Sequence, residues 1–215
     1  MVKRRKVGNL LALAVLSTII QRPMHPYEIA SFLKARAKDR DMPIKWGSLY
    51  TVVANLEKHG FIEATENVRT GSRPERTIYR ITPAGITELQ DWTGELISTP
   101  QPEQRSFEAG LSVLGGLHPD EVIRLLHVRL DALKNSLAEQ RAQYEQVAVE
   151  VPRLVLAEWD YDLALLAAEI NWVSGFLDEL TSGAMPDVDM WRKWHETGEI
   201  PAELAELAER GAVKE

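Results

Sequence analysis

The first sixty residues carry apolar positions in three segments, each with the spacing of a helix. Residues 9–21 are apolar almost all round, which predicts a buried first helix that Asn9 caps. A second amphipathic helix is predicted from Pro26 to about residue 38. The third has one clean apolar stripe with spacings of three and four residues, formed by Leu49, Val52, Val53 and Leu56. Ser48 is expected to cap this third helix and Gly60 to end it.

Two short runs after the third helix predict a β-hairpin. Residues 61–64 form the expected first strand and residues 76–81 its partner, with a polar, arginine-rich tip between them. Thr82 and Pro83 then predict the start of a further helix, with Thr82 as its cap and Pro83 in its first turn. Two amphipathic helices followed by a basic hairpin are typical of a winged helix-turn-helix, which lays one helix in a DNA groove and a wing beside it.

The C-terminal half shows a different pattern, that of long helices. A polar segment with two prolines at 98–106 is the expected linker. Beyond it, apolar positions step by three and four residues over 123–147 and again over 159–180, which predicts two long helices packed as a hairpin or bundle. The predicted fold is therefore mainly α with a small β-hairpin wing. It comprises a winged helix-turn-helix domain over 1–97 and a helical dimerisation domain over 107–183.

Homodimerisation is expected because the second long helix carries more apolar surface than one seam can bury. Trp172 and Phe176 lie on a face next to its seam, so one face can pack within the chain and the other against a second copy. The residues predicted to serve dimerisation are Leu126, Leu130, Leu133, Leu137, Trp159, Leu163, Leu166, Ile170, Trp172, Val173, Phe176 and Leu177. For the tail over 184–215, an amphipathic helix and partial disorder remain open alternatives.

Charge separates the two halves in the same way. The chain as a whole has a net charge of −7, which by itself argues against nucleic acid. Positions 1–80, however, hold 15 Lys and Arg against 7 Asp and Glu, a net charge of +8, and positions 81–215 carry −15. A basic N-terminal part followed by an acidic C-terminal part suits phosphate binding by the N-terminal domain alone. Double-stranded DNA is the expected partner.

A DNA-reading helix needs small or polar side chains on its outward face. Those suited to base edges are Ser48, Thr51 and Asn55, and those suited to phosphates are Tyr27, Lys45 and Tyr50. The expected wing contacts are Arg69, Arg73 and Arg76. Two alternatives stay open: the tyrosines can pack the domain instead, and Asn55 can bond locally.

Catalysis finds no support in the sequence, so no enzyme activity and no cofactor are predicted. Cysteine is absent, and no glycine-rich phosphate loop occurs. His25 and His118 each precede a proline at an expected helix start, so we assign them to the entry of a helix and predict no metal site. The apolar run after Lys6 is too short to span a bilayer. We therefore expect a cytoplasmic protein without a membrane partner.

Four motifs together resemble the PadR family of transcriptional regulators. They are HxYEI from His25, GxLY from Gly47, LExxGFI from Leu56 and YRITPAG from Tyr79. Residues from Phe107 to about Gly183 are similar to the helical C-terminal domain of the longer family members. The resemblance implies a dimeric, sequence-specific repressor that binds an inverted-repeat operator and is released by a phenolic or other aromatic small molecule.

The resemblance also implies one residue that would contact the effector. Two alternative functions remain open. Some short family members stack an effector on a Trp of the fourth helix, and Trp92 is its nearest counterpart here. Pro26, Trp46 and Thr51 depart from the family pattern, so the operator sequence is not predictable. The rivals are a winged-helix module that contacts proteins without binding DNA, and an enzyme that uses the acidic C-terminal residues.

Overall fold

The computed structural model describes residues 5–36, 38, 42, 44–68, 76–202 and 205–206, without the side chains of residues 66–68 and 76. The chain divides into two compact units, Met1–Pro102 and Glu103–Glu215, and each has its own cluster of buried hydrophobic residues. The expected domain limits at 97 and 107 lie on either side of this division.

Helix α1 (Leu10–Ile19) lies at the centre of the first unit. Its side chains are buried on nearly every side, and those of Leu11 and Leu16 are fully buried, as the all-round apolar pattern predicted. The Asn9 side chain accepts a hydrogen bond from the Leu11 N–H at 2.9 Å, which confirms the predicted cap.

Helix α2 (Pro26–Ala35) begins with a reciprocal cap. His25 Nδ1 accepts from the Tyr27 N–H at 3.1 Å, while the Glu28 carboxylate accepts from the His25 N–H at 3.0 Å. The bond from His25 is the main cause that holds the pKa of Glu28 below its ordinary value. His25 therefore caps a helix whose start the sequence predicted.

Helix α3 (Leu49–Lys58) follows a short 3-10 turn over Trp46–Ser48. Its predicted stripe is buried against α1 and α2, and it consists of Leu49, Val52, Val53 and Leu56. After the helix, Gly60 has a φ of +72°, the left-handed conformation that glycine adopts without steric cost.

Strands β1 (Ile62–Val68) and β2 (Arg76–Ile81) pair antiparallel and form the wing. Ile62 lies opposite Ile81, and an irregularity between Ala64 and Glu66 shifts the register. The second strand has its predicted bounds, whereas the first continues to Val68, beyond the expected end at residue 64.

Helix α4 (Pro83–Ser98) is attached to the end of α3 through Thr82. The Thr82 hydroxyl accepts from the Gly85 N–H at 3.1 Å, the predicted cap, and donates to the Gly60 carbonyl at 2.6 Å. Gly85 allows helix α4 to lie very close to the backbone of Phe61, since a Cβ at this position would lie 2.0 Å from the Phe61 carbonyl oxygen.

The second unit consists of helices in the described part of the chain. They are α5 (Ser106–Ser112), α6 (Pro119–Ala148), α7 (Ala157–Ser182) and α8 (Val188–Thr197). His118 Nδ1 accepts from the Asp120 N–H at 3.2 Å, so His118 caps α6 at the helix start that the sequence predicted.

Helices α6 and α7 pack antiparallel as a hairpin. Near its closed end the rings of Tyr144 and Trp159 meet edge to face at 5.7 Å, and further along Arg129 Nε donates to Glu169 at 2.8 Å. At the open end, apolar residues of both helices form one core, on which Val188 of α8 also packs. Within the described residues, no helix is long and apolar enough to cross a membrane.

Candidate nucleic-acid interface

The outward face of α3 is the part of the first unit best suited to enter a groove. Tyr50 is 63% exposed, and Thr51 and Asn55 are exposed on the same helix, whose opposite stripe is buried. Helix α3 therefore presents a hydroxyl, an amide and a phenol to solvent while its apolar stripe fixes its position. These groups can donate to and accept from base edges and phosphates.

The turn before α3 places Lys45 and Ser48 beside this face. The exposed side chain of Lys45 precedes the turn, and the half-buried Ser48 hydroxyl donates to the Lys45 carbonyl at 2.7 Å. The prediction that Ser48 caps α3 is therefore wrong, because its hydroxyl bonds backward across the 3-10 turn and not to an α3 N–H. The ammonium of Lys34 lies 5.0 Å from the centroid of Trp46, which ties the turn to α2.

Tyr27 lies in the first turn of α2 and is 69% exposed. Like Tyr50, it leaves its ring in solvent, so neither tyrosine packs into the core. Exposed phenols at two helix starts are suited to bonding phosphate oxygens.

The wing arginines are described only in part. Arg69 and Arg73 lie outside the described residues, while Arg76 opens β2 opposite Val68. Lower in the wing, Arg80 Nε donates to Glu63 at 2.7 Å, with both side chains largely exposed. Because Arg80 is paired with Glu63, the basic surface that the sequence predicts for the wing depends on the arginines of its tip.

Tyr79, which the sequence marked as part of a strand and of the YRITPAG motif, is a positioning residue. Its backbone N–H and C=O both bond to Met24, and its hydroxyl donates to the Glu57 carboxylate of α3 at 3.4 Å. Desolvation, and secondarily the charge of Glu57, raises the pKa of Tyr79. The residue thus joins the wing, α3 and the segment before α2.

Trp92 lies in the core of the first unit and is 5% exposed. The Arg5 guanidinium lies 5.2 Å from its ring centroid and pairs with Glu88 at 2.7 Å and with Glu95. A ligand that stacks on this ring would have to displace Arg5 and its two carboxylates. No sequence pattern pointed to this arrangement, because Arg5 is remote from both glutamates along the chain.

The residues predicted to serve dimerisation divide by exposure. Those buried inside the second unit are Leu126, Leu130, Leu163, Val173 and Leu177. Those partly buried are Leu133, Leu137, Trp159, Leu166, Ile170 and Phe176. Trp172 stands apart because it is 48% exposed, with its ring stacked on Phe176 at a centroid distance of 5.1 Å. The seam therefore packs within one chain, and Trp172 offers apolar surface outside it.

Helices α1 to α4 with the β1–β2 wing define a winged helix-turn-helix protein. Residues 15–91 match the family model described as "Transcriptional regulator PadR-like family". These residues form a PadR-like domain, as the sequence motifs predicted.

Relatives with solved structures share this fold. The chain is 22% identical over 171 residues to the "Negative transcriptional regulator PadR" of Bacillus subtilis (strain 168), over 77% of this chain and 93% of that protein. Crystal structures of Bacillus subtilis PadR in complex with operator DNA and with p-coumaric acid are similar, with TM-scores of 0.64 and 0.62 at 20% and 21% identity. Each comparison covers 80% of this chain and 99% of the relative.

Proposed function

We propose that this protein is a cytoplasmic, homodimeric repressor that binds an inverted-repeat operator through α3 and the wing. One observation carries the proposal: α3 buries its apolar stripe in its own unit and leaves Tyr50, Thr51 and Asn55 exposed on the other side. A helix held in this way, with polar groups outward, fits the major groove of B-DNA.

Each part of the interface has its own expected role. Thr51, Asn55 and Ser48 would contact base edges, and Lys45, Tyr27 and Tyr50 would contact phosphates. The tip arginines Arg69, Arg73 and Arg76 would contact the backbone or the minor groove beside α3. The net positive charge over positions 1–80 supports this assignment.

Dimerisation and repression are inferred from different observations. The exposed indole of Trp172 supports a contact with a second copy, and a twofold dimer would read a twofold operator. Repression is supported by the relative named a negative transcriptional regulator.

A small aromatic molecule is the effector we expect to release the repressor. Support comes from the Bacillus subtilis relative, which has been crystallised with p-coumaric acid. Trp92 would contact such a ligand if Arg5 moved from its ring. Adding aromatic acids to a preformed protein–DNA complex, with fluorescence anisotropy as the readout, tests release directly.

Footprinting on the promoter of the protein's own gene tests the DNA-binding proposal. We expect two protected half-sites, related by an inverted repeat and centred about one helical turn or a multiple of it apart. A winged-helix module that contacts proteins only would protect no segment of duplex, even at low salt, and that result would overturn the proposal.

A further inference from the structure

The segment before α1 is attached to helix α4 by the side chain of Arg5. All residues from 3 to 6 are Lys or Arg, yet the Arg5 side chain is only 5% exposed. Its Nη1 donates to Glu88 at 2.7 Å, its Nη2 donates to Glu95, and its Cζ lies 5.2 Å from the ring centroid of Trp92. The family match ends at residue 91, so it assigns no role to Arg5, Trp92 or Glu95.

The three α4 residues that contact the guanidinium lie on one face of the helix. Glu88, Trp92 and Glu95 are separated by four and three positions, the spacing of neighbours along a helix surface. The side chains of Glu88 and Glu95 are 14% and 16% exposed, and Trp92 is buried. This face therefore offers two carboxylates, one on either side of an aromatic ring along the helix, in a place that is largely shielded from water.

The contacts on this face select a planar cation with several donors. Burial by itself lowers the pKa of Arg5, but the hydrogen bonds and charges of Glu88 and Glu95 outweigh burial, so the pKa is raised. A guanidinium carries a rigid fork of donors, which can bond two carboxylates while the group also lies near an aromatic ring. An ammonium is a compact point charge without such a fork, and an anion would be repelled by both carboxylates.

Few other contacts hold the segment before α1 in place. Among its described residues, Lys6, Gly8 and Asn9 are exposed, and Val7 packs against the core of the first unit. The Asn9 side chain caps α1 by itself, so the start of α1 does not depend on Arg5. Arg5 can therefore leave α4 without breaking a helix cap.

We propose that Glu88, Trp92 and Glu95 form a binding site for a guanidinium group, and that Arg5 is an intramolecular inhibitor that occupies it. A free compound of this class, an alkylguanidinium, binds the site where Arg5 is absent or displaced. Because Arg5 is tethered, it competes at an effective concentration of roughly millimolar or more. The site goes beyond the proposed function, since it uses none of the residues assigned to DNA contacts and its test needs no DNA.

Titration of the full-length Arg5→Ala protein with ethylguanidinium, which matches the end of an arginine side chain, tests the site. The readout is the NMR signal of the Trp92 indole N–H, assigned by its absence from Trp92→Phe. We expect a saturable shift with ethylguanidinium, and roughly fivefold or more weaker binding of ethylammonium. No saturable shift, or equal affinity for the two cations, would overturn the guanidinium site.

The same titration of the parent protein and of Lys6→Ala tests the inhibitor role of Arg5. Lys6 is exposed beside Arg5, so Lys6→Ala removes the same charge while the Arg5 side chain stays on α4. Both proteins should bind ethylguanidinium about tenfold or more weakly than Arg5→Ala does. Equal affinity in the parent protein and Arg5→Ala would show that Arg5 does not block the site.

A carboxylate variant locates the binding on α4. Glu88→Gln, added to Arg5→Ala, should weaken ethylguanidinium binding about threefold or more, because it removes one of the two charged acceptors. Glu63→Gln in the same background is the control, since Glu63 pairs with Arg80 in the wing, and it should leave the affinity unchanged. Identical effects of the two substitutions would contradict the assigned site. Circular dichroism checks folding, and Arg5→Lys, which keeps the charge without the fork, replaces Arg5→Ala if that variant does not fold.

Discussion

Met24 and Tyr79 exchange both backbone hydrogen bonds, each 3.0 Å long, although they belong to separate segments of the chain. This bridge joins the segment before α2 to strand β2 of the wing. Because the Tyr79 hydroxyl also reaches Glu57 on α3, one residue connects three parts of the proposed interface. We infer that Tyr79 helps to fix the orientation of the wing beside α3.

Tyr79→Phe should slightly destabilise the first unit at pH 8, by less than about 1 kcal/mol, because it removes one long, partly exposed hydrogen bond. The raised pKa of Tyr79 means that the neutral phenol is favoured in the folded state. Its contribution is fully present below the unfolded pKa of about 10 and is lost as pH rises through the higher folded pKa. Urea unfolding of both proteins at pH 8 and at about pH 11 measures this. A stability difference that grows with pH would contradict the prediction.

Gly85→Ala should destabilise the protein by about 2 kcal/mol or more. The added methyl would lie 2.0 Å from the Phe61 carbonyl oxygen, so α4 would have to move away from the backbone. Gly94→Ala on the same helix meets nothing within 4 Å and should instead stabilise by about 0.5–1 kcal/mol. Thermal unfolding compares the stabilities of the two variants. If Gly85→Ala is as stable as the parent protein, helix α4 can move away from the Phe61 backbone without cost, which would contradict the prediction.

Local features of the fold were predictable from sequence, because neighbouring residues determine them. The α3 stripe, the bounds of β2 and the caps at Asn9 and Thr82 all depend on residues within a few positions of one another. Ser48 was predicted wrongly, since a 3-10 turn offers its hydroxyl a carbonyl before α3 begins.

Features that join distant residues were not predictable. Three contacts join segments that are remote in sequence: the Met24 bridge to β2, the position of Arg5 over Trp92, and the hydrogen bond between His195 Nε2 and the Gly115 carbonyl oxygen. No periodicity or local motif encodes such pairs.

Replacing Arg73 and Arg76 by Ala should weaken binding to every duplex regardless of sequence. Each lost phosphate contact reduces the slope of log affinity against log salt by about 0.9, so the double variant should lower the slope by up to about 1.8. Arg124→Ala with Arg153→Ala removes the same charge from the acidic unit, where both side chains are exposed and ion-paired, and serves as the control. An unchanged slope in the wing variant would contradict the wing assignment.

Trp172→Glu should dissociate the proposed dimer, because it places a charge on the exposed indole position beside Phe176. Light scattering after size exclusion should then give the mass of one chain where the parent protein gives twice that mass. Leu154→Glu, at a position 88% exposed near the closed end of the hairpin, should leave the mass unchanged. A dimeric Trp172→Glu protein would exclude this residue from the interface.

Sequence discrimination by Asn55 is the most direct test of the claim that the exposed face of α3 reads DNA. Fluorescence anisotropy at one salt concentration compares the footprinted operator with a scrambled duplex for the parent protein, Asn55→Ala and Gln90→Ala, an exposed amide on α4. We predict that Asn55→Ala loses about 1–3 kcal/mol of discrimination while its affinity for the scrambled duplex and the behaviour of Gln90→Ala stay unchanged. A parent protein without operator preference, or an Asn55→Ala variant with full discrimination, would contradict the account.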